Sequence, residues 1–194
     1  YFPHGVKWDL FNSARKHPKT INEMEDIPKP IIGYFGSLTD ANDKEAIRFC
    51  ADKRPDWNFV FIGEVKGDYT ILKGRPNIHF LEKKRHEDIP HYGRYFDVGL
   101  LNWRPHNWIK NCYPLKSVEY LALGLPIVST PIDELRQNFS DFVFFANTPE
   151  QYLTEIEKAL NEDSLKKRDA RMGRVKDETW DSRINLLKTW IQEL

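Results

Sequence analysis

The chain sets one lysine and one glutamate at the mouth of an otherwise apolar element. In residues 111 to 130, NCYPLKSVEYLALGLPIVST, Pro114 can be the first residue of a helix with Lys116 in its first turn and Glu119 three residues later. The free N–H groups of a first helical turn, together with the helix dipole, favour an anion. Lys116 adds a full positive charge there, which suits a diphosphate. Glu119 falls on the same helical face as Lys116. A carboxylate only accepts hydrogen bonds, so it suits the vicinal hydroxyls of a ribose. Leu115, Val118, Leu121 and Ala122 point the other way, towards the sheet. The same spacing also fits an exposed i,i+3 salt bridge worth a few tenths of a kcal/mol.

A second segment could meet the same ligand. In GYFGSLTD, residues 33 to 40, Gly33 and Gly36 let the backbone come close because no Cβ intrudes. The pattern is G-x-x-G rather than the G-x-G-x-x-G of dinucleotide sites, which disfavours NAD and FAD. A strand-end turn that needs glycine explains the pair equally well.

Short continuous apolar runs supply the elements that would position these residues. PIIGYFGSL, NFVFIGE, NIHFLE, DVGLLNW, LPIVST and DFVFFAN read as buried strands. Thr39 and Asp40 read as N-caps of a helix running to about Arg54, with Ala46, Ile47, Cys50 and Ala51 inside. HEDIPHYGRYF can make a short helix. Thr148, Pro149 and Gln151 form the cap, first position and capping box of another. Residues 1–30 read as an irregular connection into the first strand, and WDSRINLLKTWIQEL as a terminal helix. The alternation implies an α/β fold: a Rossmann-like parallel sheet of about six strands, helices on both faces, in the order 3-2-1-4-5-6. A single domain spans residues 1–194. Ligands of such sheets bind beyond the carboxyl ends of the strands, at the switch between the first and fourth. The loop GYFGSLTD and the run from Asn102 to Pro114 should meet there.

Composition narrows the classes. With 194 residues, 40% of them hydrophobic, the chain can build one core of ordinary size. Lys plus Arg equals Asp plus Glu at 29 each, so no global field recruits nucleic acid or an anionic membrane. Local patches such as EKKRHED at 82 to 88 remain. Two cysteines, Cys50 and Cys112, make no disulfide framework and fit a reducing compartment. Neither has a C-x-x-C partner, and His79, His86, His91 and His106 are not at metal-ligand spacing, so no metal site is expected. No apolar run approaches the roughly 18 residues of a spanning helix, and no signal peptide is expected. The chain begins at Tyr1, within a motif, and reads as part of a longer protein.

PLKSVEYLALGLPIVST is similar to the donor-binding signature of GT-B glycosyltransferases, found in the C-terminal half of that two-domain fold. The pattern runs roughly P-x-K-x-x-E-x-x-A-x-G-x-P-V-V-x-T. Pro114, Lys116, Glu119, Ala122, Gly124, Pro126 and Thr130 fill it, with Ile127 and Val128 as its apolar pair. YFPHGV resembles the P-N-G-V that opens that half, with His4 in place of Asn. IIGYFGSL, RPDWNFVFIG and NIHFLEKKRHEDIPHYGRYFDVGLL follow in the matching order. The likeness is nearest to bacterial members that build surface polysaccharides.

This resemblance implies a glycosyltransferase of the hexosyltransferase kind. Its donor would be a nucleotide-diphosphate sugar, UDP- or GDP-linked, used without a cofactor or metal. The acceptor would be a glycan or a lipid-linked chain. The protein's own N-terminal domain would be a partner, and nucleic acid would not. The expected location is the cytoplasm, including peripheral association at the inner face of the membrane. Carried over by position, Lys116 would contact the diphosphate, Glu119 the ribose hydroxyls, and Gly36 and Ser37 the phosphates or sugar. Tyr113, Pro114 and Leu115 would line the sugar and nucleotide pocket. Arg104 would assist at the phosphates, while His106 and Trp108 border the sugar. Asn111 stands where many retaining members carry a glutamate, and Ser37 and Asn42 stand where they often carry Arg and Lys. That departure points to inverting transfer, with the base in the N-terminal half. The helix from about Trp180 would pack towards that half, leaving Leu187 and Trp190 exposed here, and this chain alone would not transfer sugar. The alternative is a non-catalytic domain that keeps the fold for nucleotide binding or protein association.

Overall fold

Each apolar run becomes a strand: β1 (Ile31–Phe35), β2 (Asn58–Ile62), β3 (Ile78–Leu81), β4 (Val98–Leu101), β5 (Ile127–Ser129) and β6 (Val143–Phe145). The computed structural model describes residues 2–193. All strand pairs are parallel and run in the order β3-β2-β1-β4-β5-β6, as expected from the sequence. The helices are α1 (Trp8–Lys16), α2 (Asn22–Glu25), α3 (Lys44–Lys53), α4 (Ile89–Gly93), α5 (Asn107–Lys110), α6 (Leu115–Ala122), α7 (Asp133–Asn138), α8 (Pro149–Glu162), α9 (Leu165–Val175) and α10 (Trp180–Gln192).

The period-two alternation of a strand builds two cores. Ile31 and Phe35 of β1 enter one with Phe11, Tyr92, Val118 and Leu121, so α1, α4 and α6 cover that face. Ile32 and Tyr34 enter the other with Ile47, Cys50, Tyr152 and Ile156, which places α3 and α8 opposite. Central strands buried on both faces explain why the sequence shows continuous apolar runs there.

Three local expectations change. The cap of α3 is Asp43, whose Oδ1 accepts from Ala46 N at 3.1 Å, not Thr39 or Asp40. Those residues are spent on a turn: Asn42 Oδ1 accepts from Thr39 N at 3.0 Å, and Asp40 Oδ1 accepts from Lys44 Nζ at 2.6 Å. Residues 1–30 are not irregular throughout, because they hold α1 and α2, with Phe11 and Met24 fully buried. At α8, Thr148 caps Gln151 N as expected, but Gln151 Oε1 accepts from Asn147 N at 2.7 Å, one residue before the cap.

The break after α6 is a paired glycine C-cap. Gly124 has φ +78°, Gly124 N donates to Leu121 O at 2.9 Å, and Leu125 N donates to Tyr120 O at 3.0 Å. That closure ends the helix and feeds Leu125 and Pro126 into β5.

Tyr120 anchors α6 to the sheet. β1 and β4 pair at Ile32–Val98 and Gly33–Gly99 and then diverge. The fully buried Tyr120 hydroxyl lies 3.3 Å from both Gly33 O and Leu100 O and accepts from Phe35 N at 3.4 Å. A hydroxyl has one proton, so it serves one carbonyl at a time. Replacing Tyr120 with Phe should cost about 1 kcal/mol, since buried backbone acceptors lose their donor. Urea denaturation measures this; an unchanged midpoint would show that the hydroxyl does not hold the strand gap.

Candidate functional site

The two loops expected at the switch point do meet. Asp43 N donates to Asn102 O at 2.6 Å, Arg104 N donates to Ala41 O at 2.7 Å, and Asn42 pairs with Trp103 in an isolated antiparallel bridge. Beside them, at the carboxyl ends of β1 and β2, lies a cavity of about 370 Å³. Its walls come from the turn after β1, the turn after β2, the loop between β3 and α4, and the first half of α6.

Glycine builds the floor. Gly36 has φ +132°, and a Cβ there would lie 2.4 Å from Lys116 Cε. Gly63 has φ +155°, and its Cβ would lie 2.1 Å from Gly36 O. Two backbone turns and a lysine stem therefore occupy space that side chains would take. Gly33 does something else. A Cβ on it would lie 2.0 Å from the Phe96 ring, so this glycine makes room for an aromatic in the core rather than for a ligand.

Lys116 occupies the first turn of α6, as expected. Pro114 is the N-cap rather than the first helical residue, and its carbonyl accepts from Ser117 N at 2.8 Å and Ser117 Oγ at 2.7 Å. The Lys116 ammonium sits 5.6 Å from the ring centroids of both Tyr34 and Trp103. Aromatic faces attract a cation without neutralising it, which leaves its charge available to an anion.

Glu119 is not half of an exposed salt bridge with Lys116. Its side chain is 8% exposed, and Oε1 lies 2.8 Å from His86 Nε2, 33 residues earlier. Burial raises its carboxyl above the ordinary glutamate value; the His86 hydrogen bond and the nearby Lys116 charge pull the other way. His86 is backed in turn by Phe11 of α1, ring centroids 6.0 Å apart. The residues before β1 thus contribute to the site, although the sequence reading made them a connection.

Gly36, Ser37, Leu115, Lys116 and Glu119 come together on the cavity. Leu115, also assigned to the core face, is half-buried and lines it. Arg104 does not line it: its side chain is exposed beyond the Asn42–Trp103 bridge. Asn111 is exposed and donates from Nδ2 to Asn107 O at 2.7 Å. Tyr113 packs near the His4 ring, centroids 5.5 Å apart, and Pro114 is buried. His86, Lys83 and Lys84 line the cavity and were not singled out as ligand contacts, although EKKRHED marks a basic patch around them.

A larger opening of about 600 Å³ lies between α5 and α7, bordered by His106, Lys110, Asp133 and Arg136. None of its polar side chains is buried, and Lys110 and Asp133 sit 3.8 Å apart as an exposed pair. The smaller cavity holds a buried carboxylate with a raised pKa beside a lysine, which marks a functional site better than volume does. Among the described residues no three His, Cys, Asp or Glu gather as a metal site, and no helix is long and apolar enough to cross a membrane.

Two outcomes follow from this geometry. Gly36→Ala forces an L side chain into a glycine conformation and should cost about 1–3 kcal/mol, read by thermal unfolding; full stability would show that the turn relaxes freely. Glu119 carries a raised folded pKa, so its stabilising share is complete below 4.5 and is lost as pH rises through the folded value. Glu119→Gln removes that loss. The variant's melting temperature relative to the parent should therefore climb from acid to neutral pH, and a flat difference would contradict the assignment.

Residues 29–162 match the family described as Glycosyl transferases group 1. Over 168 residues the chain is 25% identical to a Bacillus subtilis (strain 168) protein that carries the provisional name teichuronic acid biosynthesis glycosyltransferase TuaH; the match takes in 82% of this chain and 42% of that protein. Similar solved structures include UDP-forming alpha,alpha-trehalose-phosphate synthases. The one from Burkholderia xenovorans has TM-score 0.70 and 15% identity, covering 98% of this chain and 51% of that one. The one from Burkholderia vietnamiensis has TM-score 0.71 and 15% identity, covering 99% and 51%. The chain thus spans about half the length of these proteins or less. At such identity the solved structures speak for the fold alone, the half-domain of a GT-B architecture. The family match extends over more than half of the sequence, and the chain belongs to the group 1 glycosyl transferases.

Proposed function

We propose that this chain is the donor-binding half of a glycosyltransferase that moves a hexose from a nucleoside diphosphate to a glycan or lipid-linked acceptor. The observation that carries the reading is one turn of α6 presenting a lysine and a buried carboxylate to the same cavity. The Lys116 ammonium and the free N–H groups of the first turn stabilise the diphosphate, most strongly as it leaves with extra negative charge. Glu119 accepts from the ribose hydroxyls, which supply donors for a carboxylate that otherwise has, among the described residues, His86 alone at hydrogen-bonding distance. The charge handling needs no metal in this scheme. Asn111 offers an amide where many retaining members carry a glutamate, which supports inverting transfer with a base from the preceding half.

That preceding half is the partner for α10. Trp180, Ile184, Leu187, Trp190 and Ile191 are each more than a third exposed along it, including the two residues expected to be. The name of the Bacillus relative favours a surface polysaccharide as acceptor and, with it, a cytoplasmic enzyme working at the inner face of the membrane.

Calorimetry with UDP- and GDP-sugars tests the reading. Lys116→Ala should weaken nucleotide binding by about tenfold or more, the worth of a charge-assisted contact, with the circular dichroism spectrum unchanged. Unchanged binding by the folded variant would remove Lys116 from the site and favour a non-catalytic domain.

A further inference from the structure

Among the described residues Lys116 has neither a hydrogen-bond partner nor an ion-pair partner. Its stem is flexible, so something other than a counter-charge must aim the ammonium. Two kinds of contact do so. The stem lies against Gly36, where a Cβ would come within 2.4 Å of Lys116 Cε and 2.9 Å of Nζ. The ammonium lies 5.6 Å from the ring centroids of Tyr34 and Trp103, within reach of a cation–π attraction.

The two rings are held differently. Tyr34 belongs to β1, is buried, and donates from its hydroxyl to Ser37 O at 3.1 Å, so the sheet and its turn set its place. Trp103 is half-buried in the loop past the end of β4, where no strand fixes it. Asn42 and Asn102 do that instead. They stand 60 residues apart, yet each is 1% exposed. Asn42 Nδ2 donates to Asn102 Oδ1 at 3.4 Å, and Asn102 Nδ2 donates to Asp43 O at 3.1 Å. The main-chain bonds from Asp43 N to Asn102 O and from Arg104 N to Ala41 O bracket Trp103. Buried amides are costly unless bonded, so this pair locks the backbone around Trp103. A ring from the β4 loop is thereby held facing a lysine from α6.

Resting on the nucleotide reading above, we propose that Trp103 is a positioning residue whose ring holds the Lys116 ammonium at the cavity before a diphosphate arrives. A lysine ordered in advance loses less freedom on binding, and the ring attracts its charge without neutralising it. Trp103 is not among the residues that wall the cavity, so its effect on the ligand passes through Lys116.

NMR of the chain and three variants tests this. The ε-methylene protons of Lys116 should resonate upfield in the parent, and Trp103→Leu should move them towards the position of a free lysine. Trp103→Leu should weaken UDP binding by about fivefold, the cost of ordering one long side chain. Trp103→Phe, which restores a ring face, should stay within about twofold of the parent. In a Lys116→Ala background, adding Trp103→Leu should change binding by less than about twofold, because the group it acts through is gone. A folded Trp103→Leu that binds UDP as tightly as the parent overturns the inference and leaves the nucleotide reading standing. So does an equal loss in both backgrounds, or a Lys116 methylene signal that ignores the substitution. Failure of the parent to bind UDP overturns the nucleotide reading itself, and the methylene signal then still decides whether Trp103 holds Lys116.

Discussion

Beyond Gly33 and Gly99 the two central strands part, and the carbonyls of Gly33 and Leu100 face the gap between them. The Tyr120 hydroxyl fills that gap from α6, and its ring lies where a Cβ on Gly99 would be, 2.6 Å from the nearest ring atom. Buried carbonyls without a donor are costly, so the phenol fixes both the depth and the rotation of α6. With Tyr120 facing the sheet, helical geometry places Lys116 one turn above it and Glu119 beside it, over the carboxyl ends of β1 and β2. The cavity is a consequence of that anchoring. Everything ascribed to the site depends on how this one helix is seated.

The electrostatics of the cavity follow from the elements around it. A lysine cushioned by two aromatic rings keeps its charge for a ligand, while a carboxylate at 8% exposure has been moved out of water at a cost. His86 offsets part of that cost with one hydrogen bond, and ribose hydroxyls would offset more. The supporting contacts come from before β1: Phe11 stands behind His86, and Glu23 holds Lys84. The segment that precedes the sheet thus helps to shape one wall of the cavity.

Much of this was legible in the sequence. The strands announce themselves because a parallel sheet covered on both faces needs unbroken apolar runs, and their spacing yields the strand order. The sequence also gives away α6, through the motif that begins at Pro114 and the Gly124–Pro126 break. What stayed hidden depends on contacts between residues far apart in the chain. The His86–Glu119 pair spans 33 residues and the Lys84–Glu23 pair 61, separations at which no periodicity operates. Asp43 takes the cap of α3 because Asp40 is drawn to Lys44 and Asn42 closes the turn, a competition among neighbours that composition does not rank. Arg104 was expected at the phosphates and Asn111 at the donor site, both in the run after β4. The backbone there turns outward and leaves both side chains in solvent.

The central claim is that a nucleotide lies along α6 between Lys116 and the loop after β3. An NMR titration of the chain with UDP locates it directly, through the amide signals that move. The account requires saturable shifts at Gly36, Lys116, Glu119 and His86, with the signals of Lys110 and Arg136 still. Shifts confined to the opening between α5 and α7, with the α6 signals unmoved, would contradict it.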